Sequence, residues 1–415
     1  MKSRLGLLAA GAFTVGATTA AHAQPTDSEA LAAPPPAPAT AAQPAPPPPS
    51  LPQPGPAEPP PPPPAVPPPS EPEQEPLAGY DGGFFIQSPD GNFKLKVGGR
   101  LQLRLTFEKE TDEPESIAFS IPRARLRFRG HAFTPDLLFD VHVDFGKGGI
   151  PTLKDGWIEY RALKDKVHIR AGQTKVPWMR QQIASDTRLS LVDRAITDRA
   201  FGGGRDLGLM VHSNYEKSPE FEYAIGFFNG TSDKPVFEDG EQSNIPDRFR
   251  PALAARVGYN FGEVDGYDEV DLDKKGVRFG VAAGARTSFD VADEDDGLVD
   301  FGPDFIFKAY GLSVNGAVMA RFVQAGPDYA DQEFSRFGLL FGAGMLVGDH
   351  LQPAVRYALV APEAGDPEHE ILGGLAAFAF GHGVRGTLDG GANIVEQEGD
   401  DVIGSIVRTQ LQLVF

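Results

Sequence analysis

Residues 93–107 read FKLKVGGRLQLRLTF. Phe93, Leu95, Val97, Gly99, Leu101, Leu103, Leu105 and Phe107 take the odd positions, and Lys94, Lys96, Gly98, Arg100, Gln102, Arg104 and Thr106 the even ones. Successive side chains of a strand point to opposite faces, so this is one strand with an apolar face and a face bearing cations. It is far longer than the roughly 5–6 residues of a soluble strand and suits a strand tilted through a bilayer. The next run, PRARLRFRGH (122–131), sets Arg123, Arg125, Arg127 and Arg129 between Ala124, Leu126 and Phe128. An arginine facing hydrocarbon at the bilayer midplane costs roughly 2–4 kcal/mol. The four guanidiniums are therefore expected to face water inside a closed barrel, with the apolar residues toward lipid.

Marking every comparable run predicts an all-β chain, a transmembrane antiparallel β-barrel of about 16 strands. They fall near 93–107, 117–133, 137–145, 152–161, 166–174, 206–215, 221–229, 250–261, 276–288, 298–309, 312–324, 334–347, 351–360, 369–380, 383–395 and 403–415. Bacterial barrels have short periplasmic turns and longer outer loops. Connections after even strands are short, at 134–136, 162–165, 216–220, 310–311, 348–350 and 381–382. Odd strands end in longer ones, at 108–116, 174–205, 230–249, 325–333 and 396–402. The exception is GEVDGYDEVDLDKK (262–275), long on the short-turn side. The end, RTQLQLVF, puts Leu411, Leu413 and Phe415 on one face and looks like an outer-membrane assembly signal.

The flanks divide the chain. Lys2 and Arg4, an apolar run and Ala21-His22-Ala23 predict a cleaved signal peptide over 1–23. Residues 24–76 hold 24 of the 39 prolines, which lack an amide donor and fix φ, so this segment is expected to be an extended periplasmic linker with a possible cell-wall contact. The barrel domain then spans 77–415. Cysteine is absent, so burial and backbone pairing alone must hold an exported fold.

A further series, IPRARLRFRG, VHVDFG (141–146), LKDGWIEYR (153–161), RAGQTKVPWMRQ (170–181), GRDLGLMV (204–211) and YAIGFFNG (223–230), resembles the phosphate-selective porin O and P family. Its most specific piece is Gly172-Gln173-Thr174-Lys175-Val176-Pro177. The resemblance implies a trimeric, sixteen-stranded outer-membrane channel, passive and selective for small anions of the phosphate kind, in contact with lipid and lipopolysaccharide and needing no cofactor. Trp178 and Met179 stand where that family usually has a phenylalanine and a small polar residue.

The residue reading supplies a mechanism. Same-face residues lie about 6.6–6.8 Å apart along a strand, so the arginines form a ladder of donors along which an anion could pass. Arginine suits it, being permanently charged and forked to fit phosphate oxygens. The expected pore-lining cations are Lys94, Lys96, Arg100, Arg104, Arg123, Arg125, Arg127, Arg129, Arg161, Arg170, Lys175 and Arg180. The third loop, 174–205, is expected to fold inward and set a constriction with Lys175, Arg180, Arg188, Arg194, Arg199 and Arg205. Charge is unevenly spread. Residues 94–205 carry 21 Lys plus Arg against 14 Asp plus Glu, and 206–415 carry 15 against 35, within a total of -19. Should Asp290, Asp300, Asp304 or Asp389 face the lumen, a general or cation-preferring channel becomes the alternative.

Other classes are weaker. His142 shares a strand face with Asp140 and Asp144, a conceivable catalytic or metal cluster in a barrel enzyme, but no H-E-x-x-H or G-x-S-x-G occurs. Export and overall acidity argue against nucleic acid as the partner of RARLRFR. DGYDEVDLD (265–273) could hold a divalent ion, yet lacks the regular calcium-loop pattern, and a solvated loop is expected.

Overall fold

The computed structural model describes residues 76–146, 151–164, 166–231, 237–238, 241–242, 251–289, 297–324, 335–397 and 399–415. Sixteen long strands form its wall: β1 Lys94–Glu110, β2 Ser116–His131, β3 Leu137–Asp144, β4 Thr152–Leu163, β5 Val167–Lys175, β6 Arg205–His212, β7 Phe221–Phe228, β8 Ala252–Phe261, β9 Arg278–Phe289, β10 Gly297–Ala309, β11 Leu312–Gln324, β12 Arg336–Met345, β13 Leu351–Pro362, β14 Glu368–Phe378, β15 Val384–Val395 and β16 Val402–Val414. Each pairs antiparallel with the strand before and after it. Closure is made by β16 on β1, from Gly404 opposite Glu110 to Val414 opposite Arg100. A closed wall leaves no row of unpaired backbone groups in hydrocarbon. All sixteen expected strands are present. The expected signal peptide and proline-rich linker lie outside the described residues.

Burial follows the two-faced pattern. Phe119 is 86% exposed on the outer surface while Gln102 on the neighbouring strand is fully buried inside. β8 shows a strict alternation of inward and outward residues from Ala252 to Phe261. Outward positions carry Ile158, Phe227, Val257, Phe301, Phe341, Ile371 and Leu411; inward ones carry charge.

The arginine face depends on one irregularity. Between Gln102 opposite Arg123 and Arg104 opposite Ser120 the register shifts, so that Ile121 and Pro122 together oppose Leu103. Proline has no N–H to give to the ladder and is tolerated at such a bulge. Ile117, Phe119 and Ile121 point outward before it, and Leu126 after it. The extra residue flips the alternation and turns Arg123, Arg125, Arg127 and Arg129 inward.

A short hairpin, Ala78–Tyr80 with Phe84–Gln87, precedes the barrel. Its second strand pairs with β1 from Phe84 opposite Val97 to Gln87 opposite Lys94, just beyond the point where β16 ends. The Phe84 and Phe415 rings meet at 6.4 Å, and Phe415 exchanges two backbone hydrogen bonds with Gly99.

Two connections depart from a plain loop. β6 stops at His212, short of the expected 215, because Asn214 and Ser218 adopt positive φ of 59° and 49° around a single 3-10 turn. That turn brings Tyr215 into the interior, fully buried. The long exception, 262–277, is not a solvated loop. Val264, Asp268, Val270 and Asp271 are buried, and the Glu269 N–H donates to the Arg188 carbonyl in the third loop at 3.1 Å. Its acids meet protein cations: Asp268 accepts from His382 at 2.7 Å, and Asp271 pairs with Arg278.

The third loop, 176–204, carries α1 Arg180–Ile183 and α2 Ile196–Phe201 and lies inside the barrel, as expected. Trp178, Leu189, Leu191 and Val192 are buried on it. Glycines of the far strands make the room. A methyl group added at Gly284 would overlap the Trp178 carbonyl oxygen, and one at Gly374 would sit 2.7 Å from Leu191. The glycine and alanine content of the later strands thus follows from having to face a loop rather than water.

Candidate functional site: a cationic wall and the loop it holds

The lumen wall of β1 and β2 presents the expected arginines, and the third loop meets them with two carboxylates. Asp186 pairs with Arg100, with Arg123 Nε at 2.7 Å and with Arg125 Nη1 at 2.8 Å. Asp193 takes both ends of the Arg104 fork at 2.7 and 2.9 Å, Arg123 at 3.2 Å and Arg408 of β16 at 3.3 Å. Arg125 also holds Asp144 at 2.6 Å, and Arg127 holds Asp140 at 2.6 Å. The ladder exists, but most of its rungs are engaged. Arg129, exposed at the end of the row, is the rung with no carboxylate within 4 Å among the described residues. An uninterrupted relay of free guanidiniums is therefore not what the wall offers.

The other expected residues divide by position. Lys96 pairs with Asp81 at 3.0 Å, and Lys94 lies over the Phe85 ring at 4.5 Å, both beside the hairpin. Arg161 is half-buried on β4. Arg170 is buried between Glu159 at 2.7 Å and Glu216 at 3.1 Å, stacked on Trp157; it is a structural cation rather than a pore-lining one. Arg180 crosses to the opposite wall, where Asp304 accepts from it at 3.2 Å beside Arg256.

The acids that raised the alternative reading are neutralised. Asp300, fully buried, lies between Arg286 and Arg321. Asp304 lies between Arg180 and Arg256, and Asp389 accepts the Arg408 fork at 2.8 Å on each side. Asp290 lies outside the described residues.

Four cations gather at the loop's base. Lys175, Gln182, Arg194, Asp198, Arg199, Gly202, Gly204 and Arg205 surround a cavity of about 330 Å³. Lys175 spends its donors on the Ile183 and Ala184 carbonyls at 2.7 and 2.8 Å, with no carboxylate within 4 Å among the described residues. Arg194 donates to the Gln181 and Ala184 carbonyls, and Asp198 stands 3.8 Å away. Arg205 reaches Asp155 at 2.9 Å and Arg199 reaches Glu368 at 2.7 Å. Backbone carbonyls thus orient Lys175 and Arg194 at this cavity, whose lining gathers four cations and one carboxylate, Asp198. The sequence named Lys175, Arg194, Arg199 and Arg205; their convergence depended on how the loop folds.

His142 does not join Asp140 or Asp144. Arg100 can only donate, so His142 Nε2 at 3.2 Å is an acceptor, and Nδ1 carries the proton that goes to Asp155 at 2.9 Å. A neutral, doubly engaged imidazole is a structural link between β3 and β4. Glu159, His168 and His212 also converge, but the same reasoning opposes a metal. His212 Nδ1 accepts the Asn214 N–H at 3.1 Å, so its Nε2 is protonated and donates to Glu159, which Arg170 also engages. Missed by sequence reasoning were Arg408, Arg356 and Arg385, which reach the third loop from β16, β13 and β15 respectively. Isolated arginines on glycine-rich strands gave no signal.

A closed sixteen-stranded barrel, apolar outside and charged inside, with its third loop folded into the lumen, is the architecture of the outer-membrane porins. The profile of the family described as phosphate-selective porin O and P matches residues 95–299, so the resemblance read from the motifs is borne out over that span. Among solved structures, the outer-membrane channel DcaP of Acinetobacter baumannii is similar with a TM-score of 0.57 at 10% identity, covering 80% of this chain and 99% of that one. Salmonella typhi OmpF gives 0.52 at 12%, covering 80% and 100%. An anion-selective porin from Comamonas acidovorans gives 0.51 at 13%, covering 77% and 99%. At these identities the likeness is one of fold. No curated protein matches the chain.

Proposed function

We propose that this porin passes small anions, with a preference for oxyanions of the phosphate kind, and that the cavity at the base of the third loop is where that preference is set. The observation that carries the reading is the pairing pattern. Asp300, Asp304 and Asp389 are cancelled by arginines, whereas Lys175 and Arg194 are held at the cavity by backbone carbonyls, with Asp198 3.8 Å from Arg194. A channel must bind its ion well enough to admit it and weakly enough to release it, and a few cations held by carbonyls suit that. The same reading extends to a homotrimer embedded in lipid and lipopolysaccharide, as the family resemblance implies, with the proline-rich segment on the periplasmic side.

The test is the reversal potential of the purified channel in planar bilayers under a potassium chloride gradient. A sign favouring chloride supports the proposal. A sign favouring potassium replaces it with the cation-preferring alternative and leaves the fold untouched. Substituting phosphate for chloride then asks whether oxyanions are preferred. Cross-linking in native membranes reads the oligomer.

A further inference from the structure

Each of the two loop carboxylates on the arginine wall sits where an oxyanion would. Around Asp186 three guanidiniums converge from β1 and β2. Around Asp193 three converge from β1, β2 and β16. Arg123 belongs to both sets. The geometry is the forked, several-fold donation that guanidinium makes to phosphate as readily as to carboxylate. Ser185 Oγ, 3.5 Å from Arg100, and the Gln410 side chain, 2.9 Å from Arg104, complete the polar surround. Five guanidiniums (Arg100, Arg104, Arg123, Arg125 and Arg408) thus meet four carboxylates, Asp186 and Asp193 from the loop and Asp144 and Asp389 from the wall. The wall acids each lie against one of these arginines; the loop acids each lie against three.

We propose that Asp186 and Asp193 are built-in occupants of two latent oxyanion sites, and that they set how long a permeating anion can linger on the arginine wall. The inference rests on the anion-channel reading and deepens it. A tethered carboxylate is present at high effective concentration, so a free oxyanion competes poorly and the wall attracts anions without trapping them. Removing one carboxylate exchanges that for a vacant three-guanidinium site. A dianionic oxyanion brings more acceptor oxygens than a carboxylate and would occupy it.

The experiment compares the wild-type channel with Asp186→Asn and Asp193→Asn in planar bilayers, titrating inorganic phosphate into potassium chloride and reading block of the chloride current. Either variant should be half-blocked at phosphate at least tenfold lower than the wild type. Folded variants, judged by heat-modifiable mobility, whose half-block is unchanged would overturn the proposal. So would variants with a larger, noisier conductance and no phosphate block, which would make the carboxylates loop anchors alone. Should Asp186→Asn fail to assemble, Asp193→Asn, at the more exposed of the two positions, decides. The wild-type reversal potential is read in the same set-up, so failure of the anion reading is seen separately from failure of this one.

Discussion

At the scale of single residues, the interior is governed by which charges are left without an opposite. Lys175 is the sharpest case, half-buried beside carbonyls rather than carboxylates. Lys175→Gln keeps a donor for those carbonyls and removes the charge, so the ratio of chloride to potassium permeability should fall while the single-channel conductance in symmetric salt changes little. An unchanged ratio would place the selectivity elsewhere. Gly284 has a different role, making space. Gly284→Ala forces a methyl group against the Trp178 carbonyl; overpacking of this kind costs about 1–3 kcal/mol. The expected outcome is a barrel that still assembles but whose third loop is cut by protease in detergent faster than in the wild type. Asp193 gives a pH dependence. Burial pushes its carboxyl up, but the hydrogen bond from Arg104 and the charges of Arg104, Arg123 and Arg408 outweigh it and hold it below its ordinary value. A carboxyl held low contributes stability that is complete above the usual aspartate value of about 3.9 and is lost as pH falls through the lowered one. Current noise from a loosened loop should therefore appear only below about pH 4, and a rise already near neutrality would contradict the assignment.

At the scale of elements, the strands were legible because their physics is local. Alternation over ten or more residues needs nothing beyond the chain itself, and β1, β2 and β8 show it plainly. The inward course of the third loop was legible too, from its length and its place between β5 and β6. Its contacts were not. Asp193 meets Arg408, and Trp178 meets Gly284, pairs remote in sequence that meet only across a closed barrel. For the same reason the turn 262–277 was visible only as an exception to a length rule, not as a segment folded back to reach Arg188. The ladder was right in direction and incomplete in partners, since alternation says which way a guanidinium points and nothing about what comes to meet it. Pro122 was in plain view in IPRARLRFRG, but its part in the bulge needs the register to be seen. Deleting Pro122 would leave Ile121 alone opposite Leu103, so the alternation would run on unbroken with Arg123 to Arg129 still facing the lumen. We expect the variant to reach the heat-modifiable, protease-resistant form; its loss would mean that the bend made by the bulge is itself needed for assembly.

At the scale of the whole molecule, the third loop and the turn 262–277 both enter the lumen and hold each other. Gln181 and the Ser190 N–H both donate to Glu269 at 2.9 Å. Replacing residues 264–272 by a short glycine linker should widen the passage, seen as higher single-channel conductance. The sign of the reversal potential should persist, because the loop-base cations remain. Conductance equal to that of the wild type would mean the turn lies off the ion's route. The hairpin at 78–87 bears on how the cylinder is made. Sliding β16 along β1 by two residues would preserve which side faces lipid, so alternation alone does not forbid the slip. Phe84–Gln87 already occupies the edge of Lys94–Val97, and the last residue abuts it through the Phe84 ring. The hairpin is thus a mechanical stop: it fixes where the final strand comes to rest, and with it the circumference of the whole channel.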